Sequence, residues 1–360
     1  MTQEEFLEQR EKIGQLCSAP FNSLYIGQRG HFFVCCANRF YKLGTYPEQT
    51  IMEIWNGKPL QKIRNEMKKM KFNVGCGHCS HNLKCGNFGT LKIPFYDYKN
   101  TTDNLKYPLR LDLELDNTCN LECIMCNGNH SSSIRKNREN LPKYITPYND
   151  KFYKELFTIL PHVRRIDFYG GEPFLIPGYF KILDFASENK LDINFYLQTN
   201  GTILNSKIEK YLTEMDIDVG ISMDAGTKEL YEKIRVNAKF DRVIKNIEKI
   251  NNILTAKKKT MSISSVVMGN NILDIHNIVN IANHFNAKVY FHKLMFPRRL
   301  SLEGVDETAL QNVYKVMSSK KFFLINPTRV QLGNITKYRD LVNEIKYYKD
   351  SKVPANANYL

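Results

Sequence analysis

The chain is 360 residues long, 42% of them hydrophobic and 24% charged, with a formal net charge of +14. That balance is ordinary for a globular protein with one large α/β domain and a smaller one. No apolar run approaches the roughly eighteen residues of a membrane span, and charges break up the N-terminal "MTQEEFLEQREKIGQL", so no signal peptide is read there. A cytoplasmic protein without a membrane partner is therefore expected, and in a reducing compartment nine cysteines argue for metal and against disulfides. The basic runs "KKMK" (68–71) and "AKKKT" (256–260) look like exposed faces with no nucleic-acid motif beside them. Nucleic acid is accordingly not the expected partner, whereas an acidic substrate or peptide suits the charge.

In chain order, an amphipathic N-terminal helix comes first. "LYIGQRGHFFVCCA" (24–37) then reads as a hairpin turning at Gly30, "QTIMEIWNGKPLQKIRNEMKKM" (49–70) as a helix and "CGHCSHNLKC" (76–85) as a Cys-rich loop. This small α+β module has few apolar residues, so bound metal would help it fold. Residues 87–108 read as a connection. From 109 onward extended runs alternate with helical patterns: strands at 109–115, 165–170, 193–198, 217–223, 261–268 and 288–295, with helices at 149–160, 177–189, 206–215 and 240–254. Such a series predicts a parallel sheet with helical crossovers. An open doubly wound sheet and a partial barrel both fit, and in either the ligands sit beyond the carboxyl ends of the strands. After Leu300 only helices are expected.

"CNLECIMC" (119–126) places Cys119, Cys123 and Cys126 just past the first of these strands. Three thiolates so spaced can wrap one face of an iron–sulfur cubane and leave one iron without a protein ligand; zinc completed by His130, or thiols unrelated to metal, would fit the spacing too. Gly170 and Gly171 in "YGGEP" permit close backbone approach, and Glu172 offers a carboxylate to an ammonium group; a plain strand-to-helix turn is the alternative. Residues two apart on a strand face the same way, so Gln198 pairs with Asn200, and Ser222 with Asp224, as polar groups at neighbouring strand ends. Loop capping would explain them equally. Cys35 and Cys36 are read as strand neighbours on opposite faces, so only one can easily ligate.

Four of these features, in order, resemble the radical SAM superfamily: the Cx3Cx2C loop, "YGGEP" (169–173), "LQTNG" (197–201) and "ISMDAG" (221–226). The resemblance implies a fold of α/β class, a partial (β/α)6 TIM-like barrel. Met125 departs from it, standing where the family usually has an aromatic. By this resemblance Cys119, Cys123 and Cys126 hold a [4Fe–4S] cluster with S-adenosyl-L-methionine (SAM) at its unique iron. Gly170, Gly171, Glu172, Gln198, Asn200, Ser222, Asp224 and Arg235 would then bind the cofactor, Arg235 through its carboxylate. No catalytic residue beyond the cluster ligands is assigned.

The N-terminal cysteines, Cys17-x12-Gly30-x4-Cys35 and Cys76-x2-Cys79-x5-Cys85, resemble the SPASM/twitch auxiliary domain, here preceding the barrel instead of following it. The two-cluster form would continue to a further cysteine where this chain has Gly89. One auxiliary [4Fe–4S] cluster is thus expected on Cys17, Cys35, Cys76 and Cys79, with Cys85 in reserve; a zinc ribbon using Cys76, Cys79, His78 or His81 is the alternative. The expected domains are 1–100 (auxiliary), 101–300 (radical SAM core) and 301–360 (helical extension). The family's chemistry is reductive cleavage of SAM to a 5′-deoxyadenosyl radical, which abstracts hydrogen from a substrate. A one-electron reductant such as flavodoxin or ferredoxin would be a partner. Oxidative modification of a peptide or protein side chain is the first expectation for the substrate. Oxidation or epimerisation of a sugar or cyclitol is the second, and a zinc-stabilised non-catalytic binding protein a remote third.

Overall fold

Polar and apolar residues alternate along the strands, unlike the continuous apolar runs of parallel strands buried on both faces, and the fold shows why. The computed structural model describes residues 3–86, 91–97 and 105–350. They divide into two compact units: Met1–Thr118 with Pro142–Leu197 and Met215–Ile217, and Cys119–Leu141 with Gln198–Glu214 and Asp218–Leu360.

The first unit contains strands Ser23–Ile26 (β1), His31–Phe33 (β2), Gly44–Thr45 (β3), Arg110–Leu113 (β4), Arg165–Phe168 (β5) and the first residues of Asn194–Thr199 (β6). Their order is β3-β2-β1-β4-β5-β6. The first three are antiparallel; β1, β4, β5 and β6 run parallel. One row across the parallel strands, Ile26, Leu113, Phe168 and Leu197, is fully buried, and Tyr179 of the helix Pro177–Glu188 stacks on Phe168 at 4.4 Å. Each such side chain contributes roughly 1.5–3 kcal/mol of burial. The next row, on the opposite face, is Tyr25, Asp112, Asp167 and Tyr196. There Arg110 donates to Asp112 at 2.9 Å and to Asp167, Arg165 also donates to Asp167, and the Tyr96 hydroxyl donates to Asp112 at 2.8 Å. Buried carboxylates persist on this face because each is paired with a guanidinium.

The second unit holds Ile217–Ser222 (β7, all but its first residue), Ser262–Val267 (β8) and Lys288–Lys293 (β9), parallel in that order. Helix Phe240–Ala256 buries Val243, Ile247, Ile250 and Leu254, the i, i+4, i+7 and i+11 positions of one stripe. Helices Glu307–Ser319 and Arg329–Asp350 follow. Asn334 of the latter accepts the Val289 N–H of β9 at 2.9 Å.

All six expected strands from residue 109 onward are present, and the α/β class with a mostly parallel sheet holds. Four local expectations change. The segment 76–85 is not a loop: Gly77–Lys84 is helical, with Cys76 and Cys85 at its caps and Cys79 and Leu83 buried one turn apart. The helix expected over 49–70 is two, Ile51–Trp55 and Lys58–Lys68, because Gly57 and Pro59 begin a new helix. Strand β2 ends at Phe33, so Cys35 and Cys36 lie in the turn after it, Cys35 buried and Cys36 exposed. Finally, β1 of the N-terminal module pairs with β4, so the module contributes strands to the parallel sheet. Gly89 and part of the 87–108 connection lie outside the described residues.

Candidate metal centres

The loop bearing Cys119, Cys123 and Cys126 belongs to the second unit and is gripped from several sides. Glu122 and Ile124 donate their N–H groups to the carbonyls of Val236 and Ile234 at 3.1 and 3.0 Å. Those bonds flank Cys123 on one segment and Arg235 on the other, so thiol and guanidinium face each other in register. Helix Ser132–Asn137 holds the loop's start: the hydroxyls of Ser132 and Ser133 donate to the Cys119 carbonyl at 3.1 and 2.8 Å. Ser131 caps that helix and donates to Leu121 O at 2.6 Å. Asn120 completes the grip, accepting from Asn200 at 3.0 Å and donating to Thr202 at 2.9 Å.

Burial pushes the Cys126 thiol up to about 12, with the neighbouring Cys123 and Cys119 adding to the effect. Burial also raises Cys123, but the charges of Arg235 and Arg138 pull the other way. Three thiols on one short loop, with guanidinium charge beside them, suit a cluster that carries net negative charge on its thiolates. The donor set therefore fits a cubane with three protein ligands. His130, which could complete a zinc site, is exposed.

The other predicted residues of the second unit form two linked sets. Gln198 donates to Ser222 at 2.8 Å, and Ser264, level with Ser222 on β8, donates to Gln198 at 3.4 Å. Asp224 is fully buried: its Oδ1 accepts the Val266 N–H at 2.7 Å, and its Oδ2 lies 2.7 Å from Arg235. Arg235 is itself buried, and the Asp224 carboxylate holds its guanidinium firmly charged.

In the first unit, Gly170 has φ +108°, a conformation other residues rarely adopt. A Cβ on Gly171 would fall 2.2 Å from the Thr118 carbonyl. The turn is thus packed directly on residues 116–118, the chain leading into Cys119: Gly171 and Glu172 donate to Asp116 O and Thr118 O at 3.2 and 2.8 Å. Glu172 is fully buried, and its carboxylate accepts the Phe174 N–H at 3.1 Å, capping the short helix Pro173–Leu175. Nearby on the polar sheet face lies Glu114, which our reading of the sequence did not single out. It accepts from Tyr25 and from Gln28 (3.4 Å), and Arg39 pairs with it at 2.9 Å. The alternation of "LRLDLEL" was its signal.

Cys17, Cys35, Cys76 and Cys79 line one cavity of the first unit. Cys17 precedes the short helix Ala19–Asn22, Cys35 follows the hairpin, and Cys76 and Cys79 sit at the N-terminal end of Gly77–Lys84. Burial raises all four thiols, Cys17 to about 12 and Cys76 to about 11. Asn38 donates to the Cys76 sulfur at 3.3 Å, while its own buried Oδ1 has no hydrogen-bond partner. The Lys92 backbone and charge favour the Cys79 thiolate. Cys36 and Cys85 do not line the cavity. Cys85 is exposed, 3.6 Å from His81, and His78 and His81 are exposed as well. Among the described residues no three His, Cys, Asp or Glu side chains converge tightly enough for a single metal ion. Four thiols lining one cavity fit a cubane, a wider cage than one ion.

Residues 113–282 match the family model described as the radical SAM superfamily, and residues 17–80 match SPASM, an iron–sulfur cluster-binding domain. The chain thus carries a radical SAM domain over residues 113–282, with a SPASM domain on its N-terminal side. Such domains hold a [4Fe–4S] cluster with SAM and an auxiliary cluster as cofactors. Among curated proteins it is similar to the mycofactocin maturase MftC of Mycobacterium tuberculosis (25% identity, covering 53% of this chain and 46% of that protein). It is also similar to a cysteine-type anaerobic sulfatase-maturating enzyme of Clostridium novyi (34%, covering 40% and 42%). The match spans about half the length of these relatives. Among solved structures, SuiB of Streptococcus suis bound to precursor peptide SuiA shares 17% identity at a TM-score of 0.42, covering 68% of this chain and 58% of that one. No helix among the described residues is long and apolar enough to cross a membrane.

Proposed function

We propose that this enzyme oxidatively modifies a side chain of a peptide or protein. Two relatives in different lineages are named for maturing such products, a mycofactocin maturase and a sulfatase-maturating enzyme. The observation that carries the oxidative part is the cavity ringed by Cys17, Cys35, Cys76 and Cys79. A cluster with four protein thiolates has no iron left for substrate, so its use is to accept an electron. A [4Fe–4S] cluster with SAM on Cys119, Cys123 and Cys126 would supply the one-electron chemistry that removes hydrogen from an unactivated C–H bond.

The chain's own residues bind and position. Cys119, Cys123 and Cys126 would hold the cluster and leave a coordination position for SAM. Arg235, fixed by Asp224 and facing Cys123, offsets the thiolate charge there and stands ready for a carboxylate. Gln198 and Ser222 present an amide and a hydroxyl from adjacent strand ends, while Asn200 anchors the loop through Asn120. Gly170 and Gly171 keep the turn low enough for backbone contact with a ligand, and Glu172 supports that turn. A one-electron reductant of the flavodoxin or ferredoxin kind serves as partner.

The test is anaerobic reconstitution followed by an iron count and a 5′-deoxyadenosine assay with candidate peptides. About eight irons per chain are expected for two cubanes, with 5′-deoxyadenosine and a peptide lighter by the hydrogens removed. About four irons would sink the auxiliary cluster, and turnover on sugars but never on peptides would sink the substrate class.

A further inference from the structure

Helix Lys58–Lys68 presents two faces to two cavities of the first unit. Met67 lines the cysteine cavity, whereas Gln61, Arg64, Asn65 and Lys68, at i, i+3, i+4 and i+7, line a second cleft of about 260 Å³. The two cavities are neighbours along a second segment as well: Pro20 lines the first and Phe21 the second. Arg64 ties them together, donating from Nε to the Pro20 carbonyl at 2.8 Å with its guanidinium stacked on Trp55 at 4.5 Å. Lys106 brings a third cation from another stretch of chain, and Asn56 an amide. No carboxylate is found among the described residues that line the cleft.

We propose that this cleft docks an acidic one-electron carrier protein, and that the auxiliary cluster exchanges electrons with the carrier there. The inference rests on reading the cysteine cavity as a cluster site. Three cations spread over two segments, rimmed by Asn56, Gln61 and Asn65, match several carboxylates on a protein surface better than one small anion. Charge complementarity of this kind steers association and fixes orientation. The position matters as much as the charge, since the cleft and the cysteine cavity share the helix Lys58–Lys68 and the Pro20–Phe21 dipeptide as walls. In the transfer one electron leaves the reduced auxiliary cluster and reduces the oxidised carrier; no bond forms or breaks.

The experiment titrates the iron-loaded enzyme with an oxidised acidic flavodoxin by calorimetry at several salt concentrations. K68E/K106E should weaken binding about tenfold or more at low salt and flatten the salt dependence. K245E/K315E, which reverses two exposed lysines on helices of the second unit, should weaken it less than about twofold. The milder K68Q/K106Q should fall between them, which guards against misfolding of the double reversal. Equal losses in both reversals, no loss in either, or free phosphate filling the cleft while flavodoxin affinity is untouched would each overturn the proposal. An iron count on the same samples shows separately whether the auxiliary cluster is there.

Discussion

The two cysteine centres are made from very different amounts of chain. Cys119, Cys123 and Cys126 come from one eight-residue loop, whereas Cys17, Cys35, Cys76 and Cys79 come from three stretches separated by a hairpin and three helices. A short loop can present three thiols to one face of a cage and then runs out of reach; four thiols brought from separate elements can surround it. The neighbours differ in the same sense. An arginine held by a buried carboxylate faces the open loop, while the four-cysteine cavity is backed by Asn38, Lys92 and apolar side chains. One centre has a buried guanidinium beside its thiols, whereas the other is lined mainly by thiols and apolar side chains.

The contrast breaks most sharply when one ligand is taken from each. C123A should reduce the iron count by about four of eight and bring 5′-deoxyadenosine formation to background. C79A should remove a similar amount of iron yet leave 5′-deoxyadenosine within about threefold of wild type, because the cluster that holds SAM is intact; only the oxidised product should vanish. C85A should change neither number, since that thiol sits exposed at the far end of its helix. Iron loss in C85A would instead make Cys85 a ligand.

A smaller effect concerns the charge at the open centre. R235M leaves Asp224 buried without its cation, which costs about 3–5 kcal/mol in comparable pairs, and urea unfolding of the metal-free protein would read it. R235K should recover part of that, since the ammonium restores the charge but not the planar fork. If R235M unfolds like wild type, the Asp224–Arg235 pair is not what secures the segment facing Cys123.

The open centre was more legible in the sequence than the closed one, and the reason is distance along the chain. The loop, its strand and the polar strand ends are local patterns, so spacing and period-two alternation expose them. The fourth thiol of the closed centre cannot be chosen from spacing, because Cys35 and Cys36 differ only in which way a turn points them and Cys85 only in its place at a helix end. The glycine, serine and asparagine of "CGHCSHNLKC" suggest a loop, yet Gly77 opens a helix and Gly86, just past Cys85, follows its end in a left-handed conformation. Other partnerships, Arg235 with Asp224 and Arg110 with Asp112 and Asp167, join residues whose sequence context shows only isolated charges. Pairing across strands is a tertiary fact, and the alternation in "LRLDLEL" announces only that a polar face exists.

The smallest expected effect is a pH dependence that should be steeper in the metal-free protein than in the loaded one. Burial raises the thiols at both centres, to about 12 for Cys17 and Cys126 and about 11 for Cys76. A thiol whose folded pKa lies above its unfolded value favours folding while it stays protonated, so that stability is present below about 9 and is lost as pH climbs through the folded values. The melting temperature of the anaerobic metal-free protein should therefore fall between about pH 9 and 11, beginning at the cavity, where Cys76 has the lower of the printed values. Iron-bound thiolates have already released their protons, so the loaded protein should show a shallower fall over the same range, carried by buried tyrosines such as Tyr153 and Tyr338. Loading at neutral pH should in turn release about seven thiol protons per chain, four from the closed centre and three from the open one, beyond those the hydrosulfide gives up. C79A should release about three, all from the open loop; about seven again would mean that the cavity thiols do not ligate as one set.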